Sequence, residues 1–539
     1  MGKPGWIYAD PTVRHQTGIK AILQNDDLKV IEAEQRYWGV WNYIAFWLSD
    51  AINIATWMVI SAIIGNDNVL SWWEAWMCVW FGFFIIGVFT CISGRIGAIY
   101  HISFPVIGRA SFGIFGSLWP VFNRGVIACI WYGVQAWIGG QCVVICIRAI
   151  IPSYNNLPNI FPISSGTNTR DFIGFIIFWS LSNIAIWFPA QKMRHLFTLK
   201  AIIVPIAGIF FFIWVVIKSN GIGPILHQLT LTSVKVSSNV RIWTWISAIM
   251  SCISSCVSAI VNISDYTRYA IRPSVIYWPQ IIIIPVGFAM TCFLGLIIGS
   301  SSKVIYGKEI WNPLDLLDTF LNDVPSLITR IGVFLISLSF CLAQLGVNIA
   351  ANSISAGCDL TAICPKYLNM RRSGYICSIV GLCICPWHLL SNASSFISYL
   401  SVYSTFVSAI VGVIFSDYYL VRHEHLEINE LFSGSRNGLY YYTYGINWRA
   451  YIAYIVGILI NMPGFINAIG VSVPSIITKM YQLNFFLGMI VSGGLYYILH
   501  KLSPVQTYMK TEKEISNGDD KVISTKYTAS SNHIKFTRF

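Results

Sequence analysis

Asp50 stands inside the apolar run 41–64, at the depth of a bilayer midplane. A charge there costs about 2.5–3.5 kcal/mol on insertion scales and normally faces a protein interior or a wet cavity. Its neighbours Ser49, Asn53 and Thr56 are polar too. A second polar stripe is formed by Ser251, Ser254, Ser255 and Ser258, then Asn262 and Asp265. The four serines recur at i, i+3, i+4 and i+7 and so share one helix face. Two readings stay open. Small residues let membrane helices approach closely. Alternatively, the stretches 49–56 and 254–258 interrupt their helices and line a polar site at the midplane, as in carriers made of two inverted five-helix repeats. The order of the spans favours the second reading, because such folds break the first and sixth. A polar site buried among many membrane helices points to a solute being carried through.

Such a site needs helices to hold it, and the composition supplies them. Hydrophobic residues make up 55% of the chain and charged ones 11%, with 21 Trp and 32 Phe, and the mean hydropathy is +0.62. These values exclude an ordinary soluble domain. A spanning helix needs about 20 apolar residues. Twelve stretches qualify as candidate spans: 41–64, 71–93, 118–151, 173–190, 199–217, 242–264, 275–299, 331–356, 375–390, 393–421, 451–469 and 484–500. The ninth is the weakest, since Cys385-Pro386 can end it early. The expected organisation is a polar tail over 1–40, a transmembrane domain over 41–500 and a Ser-, Lys- and Thr-rich tail over 501–539 that is expected to be disordered. The tail lysines offer attachment points for a ubiquitin ligase. The first apolar run is too long and too rich in Trp, Asn and Asp for a signal peptide.

The net charge of +12 invites a nucleic-acid reading, which position argues against. Arg95, Arg109, Lys192, Arg194, Arg268, Arg272, Lys366, Arg371, Arg372, Arg422, Arg436 and Arg449 come after even-numbered spans or open the next one. By the positive-inside rule both termini are then cytoplasmic. The fourteen Cys have no metal-site or disulfide spacing and read as small packing residues. An enzyme would need a nucleophile–base pair, a metal cluster or a phosphate loop at membrane depth; the spans hold no HExxH, no DxxD pair and no Gly-rich loop leading to Lys. A channel filter signature is absent as well. No cofactor or metal is expected.

Four stretches in collinear order carry a family resemblance. They are Asn25-Asp26-Asp27-Leu28 with Gln35-Arg36-Tyr37-Trp38; 94–106 running on to Arg109-Ala110-Ser111-Phe112-Gly113; 348–357 with Asp359-Leu360-Thr361 and Pro365; and Asp417-Tyr418-Tyr419 with 445–450 and Pro463-Gly464-Phe465. The chain resembles nucleobase–cation symport family one, in its fungal uracil, uridine and allantoin permease branch. The resemblance implies an all-α inverted-repeat core of ten helices plus two at the C-terminus. It also implies import of a small heterocycle with a cation across the plasma membrane, with thiamine or nicotinamide riboside as the alternative cargo of a related branch. The bacterial hydantoin carrier of the family stacks its substrate on an indole that matches Trp131 here, with Gln135 one turn on. An i, i+4 pair shares a face, so one side chain can stack while the other reads the ring edge. The family's substrate-binding Asn matches Asn352, and Asn348 lies one turn earlier; the pair, with Gln344, favours a cavity over helix-packing glue. Asn53 and Ser255 complete the expected substrate contacts.

Departures from the family pattern shape the coupling expectation. Two hydroxyl ligands of the sodium-coupled member align with Gly346 and Val347, which offer no side-chain oxygen. Hard cations need several oxygens, so a proton is the expected co-substrate. The second stacking indole of the hydantoin carrier aligns near Cys256. Asp50 is the proton candidate by depth. Asp265, Asp359 and Asp417 lie near span ends, where arginines can simply pair with them. Asp26, Asp27 and Arg36 are either part of an inner gate, as the resemblance implies, or a solvated tail.

Overall fold

The computed structural model describes residues 23–67, 69–188, 193–222, 237–308, 310, 312–390, 393–468 and 472–505. Most of residues 1–40 and 501–539, including the lysines beyond 505, therefore lie outside the described residues. Helices occupy all twelve candidate spans. Nine described helices are long and apolar enough to cross a membrane, or ten if the bent pair of the first span is one crossing. The fourth and ninth spans are helices at Thr169–Ile186 and Met370–Cys383 but are not among those nine.

The helices sort their faces by solvent. In Arg194–Lys218, Ile202, Ile206, Ile209, Ile213 and Ile217 form one exposed stripe, while Lys200, Val204, Ala207, Phe211 and Val215 are buried. That is the pattern of a helix with lipid on one side and protein on the other. The third span, Leu118–Ile150, is buried nearly all round and forms the post on which the others lean. Its close contact with the fourth span depends on glycine: a Cβ on Gly140 would lie 2.5 Å from the Phe175 Cα, and one on Gly174 would lie 2.5 Å from the Gly140 carbonyl oxygen. Small residues are what allow backbones to approach this far in a bilayer.

The first span is broken. Val40–Ala51 and Ile54–Asp67 meet at Ile52 and Asn53, with the axis turning by 61°. Asn53 stitches the break: its Oδ1 accepts from the Thr56 N–H at 2.9 Å, and its Nδ2 donates to the Asp50 carbonyl at 2.5 Å. One side chain thus serves a donor and an acceptor that a continuous helix would have paired by itself. Asn53→Ala is expected to lower stability by about 1 kcal/mol, the usual worth of a lost helix cap. The midpoint of thermal unfolding in detergent measures it, and an unchanged midpoint removes Asn53 from this role.

The sixth span corrects the sequence reading. Ser238–Asn262 is one uninterrupted α-helix through 254–258. The serine hydroxyls do not pull the backbone open. Ser251 donates to the Ser247 carbonyl at 2.9 Å and Ser255 to the Cys252 carbonyl at 2.7 Å, so they are satisfied on their own helix. A further irregularity lies in the eighth span, where Leu327–Val347 passes through a π-helical stretch, Asn348–Ile354, into Ser355–Ile363.

The segment before the first span is docked, not solvated. Asn25 Nδ2 donates to the Leu368 carbonyl at 3.1 Å, and Asp27 accepts from the Met370 N–H at 2.9 Å. Trp38 pairs with the end of the sixth span through its N–H to the Tyr269 carbonyl and its carbonyl to the Ile271 N–H.

Candidate functional site

A cavity partly open to solvent lies between spans one, three, six, seven and eight. Asp50, Asn53, Trp131, Gln135, Ser255 and Asn352 all line it, so residues 302 positions apart in the sequence converge on one space. Each element contributes by its local geometry. The break in span one turns Asp50 and Asn53 inward. The helical i, i+4 spacing puts Trp131 and Gln135 on one face of span three. The π-helical turn widens span eight where Asn352 projects; such turns recur at functional sites.

Trp131 is buried, with its ring edge-on to Tyr403 at 6.2 Å and 89°. Tyr403 donates in turn to the Ser254 carbonyl, linking the indole to span six through span ten. The Gln135 Oε1 is buried without a hydrogen-bond partner in the protein, as is the Asn262 Oδ1 on the opposite wall. A buried carbonyl left unpaired is costly, and both atoms are acceptors waiting for a donor such as a ring N–H. Asn348 is fully buried behind the wall, outside the cavity lining; its Oδ1 accepts from Asn352 Nδ2 at 3.1 Å and fixes which way that carboxamide points. Ser255 spends its hydroxyl proton on its own helix and offers only lone pairs to the cavity. Cys256 lines the wall where the resemblance placed a second indole.

Asp26, Asp27 and Arg36 are not brought to the cavity. Asp26 pairs with Lys29 at the surface, and Arg36 donates to the Ile31 carbonyl at 2.9 Å. Asp27 belongs to the docked segment, its carbonyl accepting from Arg268 at 2.9 Å. His101 joins the same layer: its Nδ1 carries the proton and donates to the Arg268 carbonyl at 2.9 Å. Burial pulls the imidazole below its ordinary range; the hydrogen bond to the Arg268 carbonyl opposes this and Arg36 adds to it. The other three carboxylates have arginine partners. Arg124 grips Asp359 through two nitrogens and reaches Asp265 at 2.9 Å, all three side chains being buried. Arg422 holds Asp417 at 2.7 Å.

Four features escape sequence reasoning. Arg124 carries no local signal, because its two partners come from other spans. Tyr266 lines the cavity and donates to the Ala350 carbonyl inside the π-helical turn; no local pattern announces that. The π-helical turn itself has no sequence signature. A fifth span over 199–217 puts Lys200 at its flank, but the helix starts at Arg194, which sets this fully buried lysine nearly two turns inside.

A family model described as permease for cytosine/purines, uracil, thiamine and allantoin matches residues 30–488. The chain is 39% identical to the allantoin permease of Saccharomyces cerevisiae over 93% of this chain and 79% of that protein. It is 40% identical to the uridine permease of the same yeast over 90% of this chain and 75% of that protein. A solved nucleobase-cation-symport-1 family transporter, in a closed conformation with bromovinylhydantoin bound, aligns with a TM-score of 0.72 at 18% identity, covering 91% of this chain and 99% of that one. That likeness bears on the fold, which is the inverted-repeat transporter fold. With the matched residues running from the docked N-terminal segment to the last span, the chain belongs to the permease family for cytosine and purines, uracil, thiamine and allantoin, and is a membrane transporter, not an enzyme.

Proposed function

We propose that this permease imports a uracil-, uridine- or allantoin-like heterocycle across the plasma membrane, driven by a co-transported proton and working by alternating access, with both termini in the cytoplasm. The observation that carries the reading is the convergence of Trp131, Gln135 and Asn352 on one cavity at the break of span one. Trp131 would stack on the ring. Gln135 and Asn352 would exchange hydrogen bonds with its ureide edge, and Asn348 would orient Asn352. Stacking confers affinity for any flat ring, whereas paired donors and acceptors discriminate between rings. Asp50 would take the proton. Gly346 and Val347 leave the adjoining stretch of span eight without side-chain oxygens, which supports a proton over sodium. The docked segment around Asp27, with the Arg124 cluster above it, would form the inner gate, and the tail lysines would serve turnover.

The test is radiolabelled uptake in a permease-deficient yeast, with competition by uracil, uridine, allantoin, thiamine and nicotinamide riboside. It is run at two pH values, with and without sodium. Uptake is expected to rise at the lower external pH, to ignore sodium, and to be displaced by one or more of the first three compounds. Uptake that tracks sodium and not pH refutes proton coupling.

A further inference from the structure

The chain leaves the membrane domain at a serine gripped by a buried arginine. Span twelve, Asn484–Leu502, ends at Ser503, whose φ of −135° and ψ of 75° depart from the helix. Pro504 follows and cannot continue the helical ladder, having no N–H. Arg449, in the first turn of the span-eleven helix Trp448–Leu459, holds this point twice. Its Nε donates to the Ser503 carbonyl and its Nη2 to the Ser503 hydroxyl, both at 2.8 Å. The arginine is only 8% exposed and its guanidinium lies over the Trp448 ring at 4.8 Å. Among the described residues no carboxylate comes within 4 Å of it. Arg95, Arg124 and Arg422, by contrast, each have an acidic partner. Buried charges are normally paired, and here the paired group is a neutral serine. Two more basic residues, His500 and Lys501, come just before it. The flanks are open, with Lys501, Leu502 and Pro504 all exposed.

A guanidinium fork without an acid matches a phosphate, which it can bind through two parallel N–H···O bonds. Ser503-Pro504 is also the dipeptide on which proline-directed protein kinases act. We infer that Ser503 is a phosphorylation site for such a kinase, and that Arg449 receives the phosphate and fastens the root of the C-terminal tail to span eleven. The kinase reaches the hydroxyl when the last turn of span twelve frays, an opening that costs little at a helix end. In the step, the Ser503 Oγ bonds to the γ-phosphorus of ATP. The bond from that phosphorus to the β–γ bridging oxygen breaks, ADP leaves, and the hydroxyl proton passes to the kinase's catalytic carboxylate. The product carries a charge of about −1.5 to −2 and three acceptor oxygens. A contact between a cation and a neutral hydroxyl becomes a charge-assisted pair. Ser503 lies outside the cavity lining, so the modification acts on the tail and not on solute binding. The inference rests on the proposed cytoplasmic C-terminus, the side where ATP and kinases are.

The test uses the full chain, expressed in the permease-deficient yeast with a pH-sensitive fluorescent protein at its C-terminus and purified with phosphatase inhibitors. Mass spectrometry of the peptide spanning Ser503 is expected to find phosphate on that serine in the wild type, and much less in Pro504→Ala. Dephosphorylated protein is expected to regain it from a purified proline-directed kinase with ATP. Trypsin is expected to cut after Lys501 roughly tenfold more slowly in the phosphorylated wild type than in the dephosphorylated one, because the phosphate pins the tail root. Arg449→Gln, phosphorylated by the same kinase, is expected to lose this protection, and Arg449→Lys, which keeps the charge without the fork, to retain part of it. Uptake by Ser503→Ala is expected to equal that of the wild type. A wild type that carries no phosphate on Ser503 in cells and accepts none from the purified kinase overturns the inference. So does equal modification of Pro504→Ala. Full protection in both Arg449 variants overturns the role of the arginine, and Arg449→Lys decides this alone if Arg449→Gln does not fold. Fluorescence quenched by external acid in intact cells places the tail outside and defeats the proposed orientation. A tail that is inside and unmodified defeats only the assignment of Ser503.

Discussion

Trp131→Ala is expected to abolish measurable uptake while the protein still reaches the cell surface. The indole is buried at the centre of span three and lines the cavity. Stacking of a heterocycle on an aromatic ring contributes about 1–3 kcal/mol, or roughly five- to 150-fold in affinity. The truncation removes that contact. It also unseats Tyr403, which rests edge-on against the indole and ties span ten to the Ser254 carbonyl. Trp131→Phe, which keeps a flat ring, is expected to fall between alanine and wild type. Uptake measured beside the surface signal of a fluorescent fusion separates lost binding from lost delivery. Unchanged uptake by the alanine variant would remove Trp131 from the site.

Arg124→Leu is expected to cost the transporter its folded state. The guanidinium stands between Asp359, which it grips twice, and Asp265 at 2.9 Å, and lies over the Phe104 ring at 4.2 Å. Removing one partner of a buried charge group destabilises by about 3–5 kcal/mol, because the remaining charge is left unpaired. Here two carboxylates would be left facing each other. Asp265→Asn should be far milder: Asp359 keeps its arginine, and the side-chain oxygen at position 265 can still accept from the Phe104 N–H, now at 3.0 Å. Size-exclusion profiles and thermal midpoints of detergent-purified protein test the pair. Arg124→Leu with a wild-type midpoint would show that the cluster contributes little to stability. The geometry also bears on gating. Arg124 and Asp359 belong to spans three and eight, which pack directly on each other, whereas Asp265 sits on the extension of span six beside the docked N-terminal segment. The single contact to Asp265 is the weaker one to break if span six tilts away.

The outcome for span six is instructive about what a polar stripe means. A run of serines on one face has the same sequence signature whether the helix breaks or packs. In span one the break is made by a residue whose side chain replaces lost backbone bonds at both ends, and Asn53 can do that because a carboxamide both donates and accepts. Serines reach back to a carbonyl three or four residues earlier and leave the helix whole.

Hydropathy and spacing, legible in the sequence by itself, determined the membrane class and the positions of the spans and pointed to an interruption near Asp50. Ordered motifs added the site residues Trp131, Gln135 and Asn352. All of these are properties of a residue and its near neighbours along the chain. Tertiary structure alone decided which polar groups meet. It shut Asn348 behind the cavity wall, paired Asp265 and Asp359 with Arg124, folded Asp27 beneath the helices, and set Lys200 in a slot over Gly346 toward Asp50. The physical reason is that the strength of a charge or hydrogen bond in a membrane interior depends on distance and burial across helices, and neither quantity is encoded in local spacing.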